Sequence, residues 1–344
     1  MFSKVMRKTV EARRNSGKTL GLGLVLSFFA LFLLTSQASA QSFSFSTGNP
    51  DGRMASASRP GPGPASGANQ ETESADDFVL TSQTAITSAT FTGLLPAGVS
   101  LSDVTRVDVE IYRVFPNDSD VGRTSGPPTF STSKVPTRVN SPSDVELFDR
   151  DSVDGNLTFT TTLLNGQFTA LNSVDTGIHP KPNQQTLGDG PVTGQEVQFE
   201  VTFTNPFELA ADHYFFVPQV LLSNPNNHFL WLSAPRPIVA PGTPFPPGTT
   251  DLQSWIRNAD LEPDWLRIGA DIVGGTTFNA TFSEGGVELP PCSGPASGGT
   301  WKNHGKYVST VAHIVGDFLE QGLITEEQAD AIVSSAAESS CGKK

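Results

Sequence analysis

Acidic side chains gather in two turn-like segments, and carboxylates are the ligands that calcium prefers. Asp149, Asp151 and Asp154 stand in the sequence DRDSVDGN, where spaced acids precede a glycine, and Asp118 and Asp120 form a second acidic turn after a predicted strand. The first segment is one residue longer than the EF-hand pattern and lacks a glutamate where the bidentate ligand is needed. A structural Ca²⁺ therefore competes with a simpler interpretation, two solvated acidic turns, and the sequence predicts no other cofactor.

Trp255 and Trp265 are the second group of residues that suggest a function. They flank a loop-rich stretch that contains Asn258 and Asp260. Flat aromatic rings beside hydrogen-bonding side chains commonly hold a sugar ring. The sequence therefore predicts that a glycan-binding surface, if the protein has one, lies here with exposed tryptophan rings. The alternative is that these rings pack in the core.

Catalytic patterns are absent from the sequence. The five histidines are scattered without an HExxH pair, and no G-x-S-x-G segment occurs. A carboxylate pair suited to glycoside hydrolysis depends on folding and not on sequence spacing, so a hydrolase stays open as an alternative. Because function must be argued from a site, a non-catalytic role is favoured.

Cys292 and Cys341 are the only cysteines, and both lie in the last sixth of the chain. Two cysteines in an exported protein are most simply one disulfide. A metal site would require more ligands than this pair offers.

Residues 1–40 have the pattern of a signal peptide. Six basic residues precede the apolar run 20–34, and Ala38-Ser39-Ala40 ends the segment, so cleavage is expected before Gln41. An uncleaved membrane anchor is the alternative, but the run is short for a span of about twenty residues. We therefore expect a secreted protein, extracellular or periplasmic, that does not insert into a membrane after cleavage.

Net charge excludes some partners. The full chain carries −13, and removal of residues 1–40 leaves 16 basic and 34 acidic residues, a net charge of −18. Such a chain repels phosphate backbones and anionic lipids, so nucleic-acid binding is not expected. An extracellular glycan or a protein is the expected partner.

Residues 196–234 predict three consecutive strands. Val197, Phe199, Val201 and Phe203 alternate with polar residues, whereas 213–222 and 229–232 are apolar on both faces. Roughly ten short strands without βαβ alternation indicate a mainly β fold over residues 41–283, an antiparallel jelly-roll-like β-sandwich. Within it, 47–72 reads as a flexible loop, Asn205-Pro206 as a turn, and Asn165-Gly166 as a hairpin turn.

The C-terminal end has helical spacing. Residues 284–300 read as a linker, and residues 301–344 as a small α-helical hairpin closed by the disulfide. Thr325-Glu326-Glu327-Gln328 predicts a capping box at the start of the second helix. The disulfide would let this hairpin fold by itself.

Two groups of motifs resemble known families. The segments ADDFVL, ITSATFTG, VEIYRVFP, FELAADHYFF, FLWLSA, SWIRN and WLRIG, within residues 74–283, resemble uncharacterised secreted bacterial β-sandwich proteins of the kind found among PEP-CTERM exosortase substrates. This chain lacks their Pro-Glu-Pro tail and terminal membrane segment. The stretch from Gly299 to Gly342 is similar to a helical module of exported bacterial proteins. Neither resemblance implies a known activity.

The favoured hypothesis is an exported, non-catalytic structural or binding module. The alternatives are a glycan-binding sandwich that uses exposed tryptophans, and a secreted hydrolase with an unrecognised carboxylate pair.

Overall fold

Segments with apolar residues on one or both faces form β-strands that pair into two sheets. The computed structural model describes residues 41–61, 70–119, 125–178, 185–275 and 277–343, so the predicted signal peptide lies outside the described residues. The strands are β1 (Ser42–Ser46), β2 (Met54–Ala57), β3 (Thr72–Val79), β4 (Thr84–Pro96), β5 (Val104–Arg113), β6 (Phe148–Asp151), β7 (Leu157–Ala170), β8 (Asn172–Val174), β9 (Val192–Leu209), β10 (His213–Leu222), β11 (Leu230–Ala234), β12 (Trp255–Asn258), β13 (Leu266–Arg267), β14 (Asn279–Ala280) and β15 (Phe282–Glu288).

Among the described residues, nine strands form one sheet and six form the other. The larger sheet has the order β1-β15-β4-β11-β2-β8, with β14 beside β11, while β9 pairs with β4 on one side and with β7 on the other. The smaller sheet has the order β13-β12-β3-β10-β5-β6. The named strand pairs are antiparallel except β2 and β8, which run parallel.

The two sheets pack face to face through a core of phenylalanine rings. Phe91 of β4 stacks on Phe199 of β9 at 4.8 Å between ring centroids, within the larger sheet. Phe216 of β10 stacks on Phe282 of β15 at 5.0 Å, across the two sheets. The predicted β-sandwich is therefore confirmed, while its jelly-roll character stays a prediction.

The three strands predicted between 196 and 234 are present as β9, β10 and β11, but two predicted turns are wrong. β9 continues through Asn205 and Pro206 to Leu209. Proline is tolerated there because β7 pairs with β9 only as far as Phe203, which leaves that edge of β9 unpaired. Asn165-Gly166 is no hairpin turn either, since β7 runs on through two bulges beside β9.

Two segments predicted to be loops contain strands. The range 47–72 includes β2, which is buried and pairs with β11 and β8. Residues 62–69 of this range lie outside the described residues. The predicted linker 284–300 begins with the last residues of β15, which pair with β1 and β4. Both strands contain small residues such as Ala55 and Gly285, so a pattern based on large apolar side chains did not predict them.

The predicted helices and their disulfide are confirmed. The helices are α1 (His304–Glu320) and α2 (Glu326–Glu338), and the Thr325–Gln328 capping box is present. Cys292 and Cys341 form a disulfide that closes a separation of 49 residues. Neither helix has the length and apolar character needed to cross a membrane.

The helical hairpin shares an apolar cluster with the sandwich. Ala85 of β4 and Val287 of β15 belong to the same apolar cluster as Trp301, Val311 and Ile332 of the hairpin. The side chain of Gln328, 3% exposed, donates hydrogen bonds of 2.9 Å to two backbone carbonyls of the sandwich. Hairpin and sheet therefore stabilise one another.

Candidate functional site

Trp255 and Trp265 are buried, which corrects the prediction of exposed sugar-binding rings. They are 1% and 0% exposed and pack with Tyr112 and other apolar residues on the outer face of the six-stranded sheet. Asn258 and Asp260 do not join them. Asn258 Oδ1 accepts a hydrogen bond from the Leu261 backbone N–H at 3.1 Å inside a turn, and the Asp260 side chain is exposed. These four residues therefore form no common binding surface.

Trp265 contacts residues 125–147 between β5 and β6, which form the covering loop of the six-stranded sheet. Its indole N–H donates to the Ser143 carbonyl at 3.0 Å, and the Arg257 guanidinium lies 4.5 Å from the centre of its ring. Arg138, fully buried, donates to Asp264 Oδ1 at 2.9 Å and to the Pro142 carbonyl at 2.7 Å. Residues 138–144 of this loop are thus fixed to the sheet by Arg138, Arg257 and Trp265.

Glu73 and Glu110 are the carboxylate pair that the hydrolase alternative requires. The Tyr112 hydroxyl lies between them, 2.7 Å from Glu73 Oε1 and 2.9 Å from Glu110 Oε2. Arg257 donates to Glu73 Oε1 at 2.9 Å and to the Tyr112 hydroxyl oxygen at 2.8 Å. Because Tyr112 has one hydroxyl hydrogen, it cannot donate to both glutamates, so one carboxyl must carry a proton.

The protonation states of this pair follow from its surroundings. Burial raises the pKa of Glu110 well above its usual value, and the nearby charge of Glu73 adds to the effect. Burial would also raise the pKa of Glu73, but the charge and hydrogen bonds of Arg257 outweigh it and lower that pKa. Glu73 is 4% exposed and Tyr112 occupies the space between the two acids. The arrangement is that of a buried structural network and leaves no room there for a substrate.

The described acidic residues do not assemble the calcium site that the sequence suggested. Asp151 is nearly buried and lies 2.7 Å from Arg106, while Asp149 and Asp154 are exposed. Asp118 pairs with Arg113 at 3.5 Å, and Asp120 lies outside the described residues. In the part of the chain that the structure describes, no three metal-binding side chains converge.

A small polar cavity, the Trp255 pocket, opens beside Trp255. It has a volume of about 250 Å³ and is lined by residues 137, 139 and 140 of the covering loop, by residues 250–253 and 255, and by Arg236 and Arg267. The alternation of Asp251, Gln253 and Trp255 in extended chain places their side chains on one face. That alternation was visible in the sequence, but the two arginines come from distant segments and were missed.

Two residues that line the Trp255 pocket each carry a buried polar atom without a hydrogen-bond partner in the described structure. These atoms are the indole Nε1 of Trp255, a donor, and Oε1 of Gln253, an acceptor. A buried unsatisfied group costs about 1–3 kcal/mol. The donor and the acceptor belong to two residues that line one cavity, which makes this cavity the candidate site.

The charges at the Trp255 pocket are compensated within the protein. Arg236 Nε lies 3.2 Å from Asp251 Oδ1, and Arg267 Nη2 lies 2.6 Å from Asp271 Oδ1. Because each guanidinium is paired with its own carboxylate, the site offers no net charge to an ion. It suits a neutral ligand that carries hydroxyl or amide groups.

Buried acids of β3 position the wall of the Trp255 pocket. Asp77 Oδ2 accepts from the Leu252 backbone N–H at 3.1 Å, and Asp76 Oδ1 accepts from the Ser254 hydroxyl at 3.1 Å. Burial raises the pKa of both carboxyls well above the usual value. These contacts fix the segment that carries Gln253 and Trp255.

A larger groove of about 470 Å³ lies on the outer face of the nine-stranded sheet. Its floor carries Thr90, Gln198 and Ser283, and the hydroxyls of Thr90 and Ser283 lie 2.7 Å apart and bond to each other. None of the described side chains that line it has a buried polar atom without a partner. The groove is therefore a weaker candidate for a ligand-binding site than the Trp255 pocket.

Comparisons with protein-family models, curated proteins and solved structures give no match to this chain.

Proposed function

We propose that this protein is an exported, non-catalytic binding protein whose Trp255 pocket holds one neutral sugar residue. The glycan hypothesis raised by the sequence is kept, but recognition is moved from exposed rings to a small polar cavity. The indole N–H of Trp255 acts here as a hydrogen-bond donor, and the ring itself is part of the packed wall.

The unsatisfied donor and acceptor at the pocket carry this proposal. Trp255 Nε1 and Gln253 Oε1 are buried and have no hydrogen-bond partner among the described residues. A sugar hydroxyl both accepts and donates, so one or two hydroxyls can satisfy the two atoms together. A ligand amide, such as an acetamido group, provides the same pair of functions.

The size and the charge of the Trp255 pocket restrict the class of ligand further. The cavity of about 250 Å³ is smaller than the roughly 300–1,000 Å³ of pockets for drug-sized ligands. It therefore suits a single ring or chain end better than a long oligosaccharide. The compensated arginines disfavour sugar phosphates and free anions, which would leave one carboxylate without its partner.

Export is supported by independent features. Residues 1–40 combine a basic start, an apolar run and a small-residue end. The disulfide is typical of a protein that matures in an oxidising compartment. A strongly acidic mature chain favours neutral glycans over nucleic acids as partners.

The hydrolase alternative has less support. The carboxylate pair Glu73 and Glu110 is bridged by the Tyr112 hydroxyl, where a catalytic pair would need space for a sugar and a water. Glu73 is also neutralised by Arg257. These contacts indicate that Glu73 and Glu110 stabilise the fold through their bonds to Tyr112 and Arg257.

Calorimetric titration of the mature protein with a panel of neutral mono- and disaccharides tests the proposal. We expect one sugar to bind, and Trp255→Phe, which keeps a ring but removes the N–H, to weaken binding roughly 2- to 12-fold. Trp265→Phe is the matched control, because its N–H bonds to Ser143 outside the cavity. Absence of binding across the panel, or equal effects of both variants, would refute the assignment.

A further inference from the structure

Strand β7 is an open edge of the nine-stranded sheet. It hydrogen-bonds to β9 along one side, and no other described strand pairs with its second side. It is 14 residues long, whereas the other edge strands, β1, β6, β8, β13 and β14, have between two and five residues. A long open edge offers a row of backbone donors and acceptors to another strand.

The usual protection against strand pairing is missing from the first half of β7, residues 157–163. The sequence of β7, LTFTTTLLNGQFTA, contains neither a charged residue nor proline, although the chain has 35 acidic and 22 basic residues. Charges, prolines and bulges are the devices that protect natural sheet edges. The two bulges of β7 lie between Leu163 and Phe168, so Leu157 to Leu163 remains a regular and unprotected strand.

The residue pattern of this regular half is close to a palindrome. In the sequence LTFTTTL, leucine stands at both ends, threonine at both next positions, and Thr160 at the centre. Antiparallel pairing of two such strands about a two-fold axis at Thr160 places Leu157 opposite Leu163 and Thr158 opposite Thr162. A segment that matches its own reverse fits a second copy of itself, since isologous contacts require self-complementarity.

Exposure supports the same pairing. Leu163 is 47% exposed in the single chain, an unusual degree for an apolar strand residue beside a core, while Leu157 is 1% exposed. Pairing with Leu157 of the second copy would cover Leu163. Thr158, Thr160 and Thr162 are exposed on the opposite face, where cross-strand threonine pairs are favourable.

We infer that the regular half of β7 is a self-association edge, which joins two copies of this chain by antiparallel β7–β7 pairing centred on Thr160. The two nine-stranded sheets would then form one continuous sheet. The inference concerns assembly and stands independently of any ligand in the Trp255 pocket.

Sedimentation velocity of the mature, oxidised chain tests the pairing. We expect a concentration-dependent dimer, and we expect Thr160→Lys to raise its dissociation constant at least about fivefold, because the two lysines would face each other across the axis. Thr169→Lys is the matched control, since Thr169 is also exposed on β7 but lies past both bulges. A monomer at all concentrations, or a dimer equally sensitive to both substitutions, would overturn the inference.

A cysteine at the axis tests the register. Both native cysteines are joined to each other, so Thr160→Cys introduces the only free thiol. Opposite Cα atoms of antiparallel strands lie about 4.5–5.5 Å apart, within disulfide range. Oxidation should therefore give a covalent dimer with Thr160→Cys and far less with Thr169→Cys. Equal cross-linking of both variants would contradict the pairing centred on Thr160.

Discussion

Glu284 gives the sandwich core a pH-dependent weakness that can be measured. The side chain is 3% exposed and lies on β15 between Phe45 of β1 and Ala89 of β4. Neither carboxyl oxygen has a hydrogen-bond partner in the described structure. Burial raises its pKa well above the usual value of 4.5. The folded protein therefore keeps a proton on Glu284 at pH values where the unfolded chain has released it.

The sign and size of the effect follow from proton linkage. Above pH 4.5 the folded state binds more protons at this position than the unfolded state, so the free energy of unfolding falls as pH rises. The loss is about 1.4 kcal/mol per pH unit until the folded pKa is reached. Glu284→Gln cannot ionise, so it should lack this slope, and the variant should gain stability relative to the natural chain as the pH rises above 4.5, by at most about 1.4 kcal/mol per pH unit.

Urea unfolding followed by circular dichroism at pH 5 and pH 6, with the disulfide intact, measures this difference. Glu288→Gln is the matched control, because Glu288 lies on the same strand but is partly exposed. Parallel pH dependences for the natural chain and Glu284→Gln would refute the assignment of Glu284 as a buried, protonated acid.

Three further predictions concern the helical hairpin, the Arg257 ion pair and the signal peptide. Gln328→Ala should destabilise the protein by about 1–3 kcal/mol, because two sandwich carbonyls lose their donor, and amide exchange should show faster opening of α2. Arg257→Met should lower the free energy of unfolding in urea by about 3–5 kcal/mol, because Glu73 is left as a buried unpaired charge. A loss under about 1 kcal/mol would contradict a stabilising role of the Arg257–Glu73 pair. Sequencing of the secreted protein should begin at Gln41; a start at Met1 would contradict cleavage.

Sequence periodicity predicted the strands with large apolar side chains and both helices. The alternation in β9, the apolar run of β10 and the Thr325–Gln328 box each depend on local geometry, so a single segment reveals them. β2 was not predicted because its alanine and serine residues do not alternate between large apolar and polar side chains. The Asn165-Gly166 turn signal failed because continued pairing with β9 outweighed the local turn preference.

The candidate site was less accessible to sequence reasoning. A tryptophan in a sequence is equally compatible with a sugar-binding surface and with a core. The packing of Trp265 under Arg257 depends on the tertiary structure, which local sequence does not reveal. Trp255 was identified for its ring, whereas its N–H proved to be the unsatisfied group. Arg236 and Arg267 reach the pocket from segments whose proximity to the covering loop no pattern in the sequence reveals.

The indole N–H signals of the four tryptophans test the central claim most directly. In the structure Trp231, Trp265 and Trp301 donate to backbone carbonyls at 2.8–3.0 Å, and Trp255 alone lacks an acceptor among the described residues. Titration of ¹⁵N-labelled protein with the neutral sugar panel should move the Trp255 indole signal, assigned by its loss in Trp255→Phe, and leave the other three in place. If that signal stays fixed throughout the panel, or if the other three move instead, the Trp255 pocket is not a sugar site.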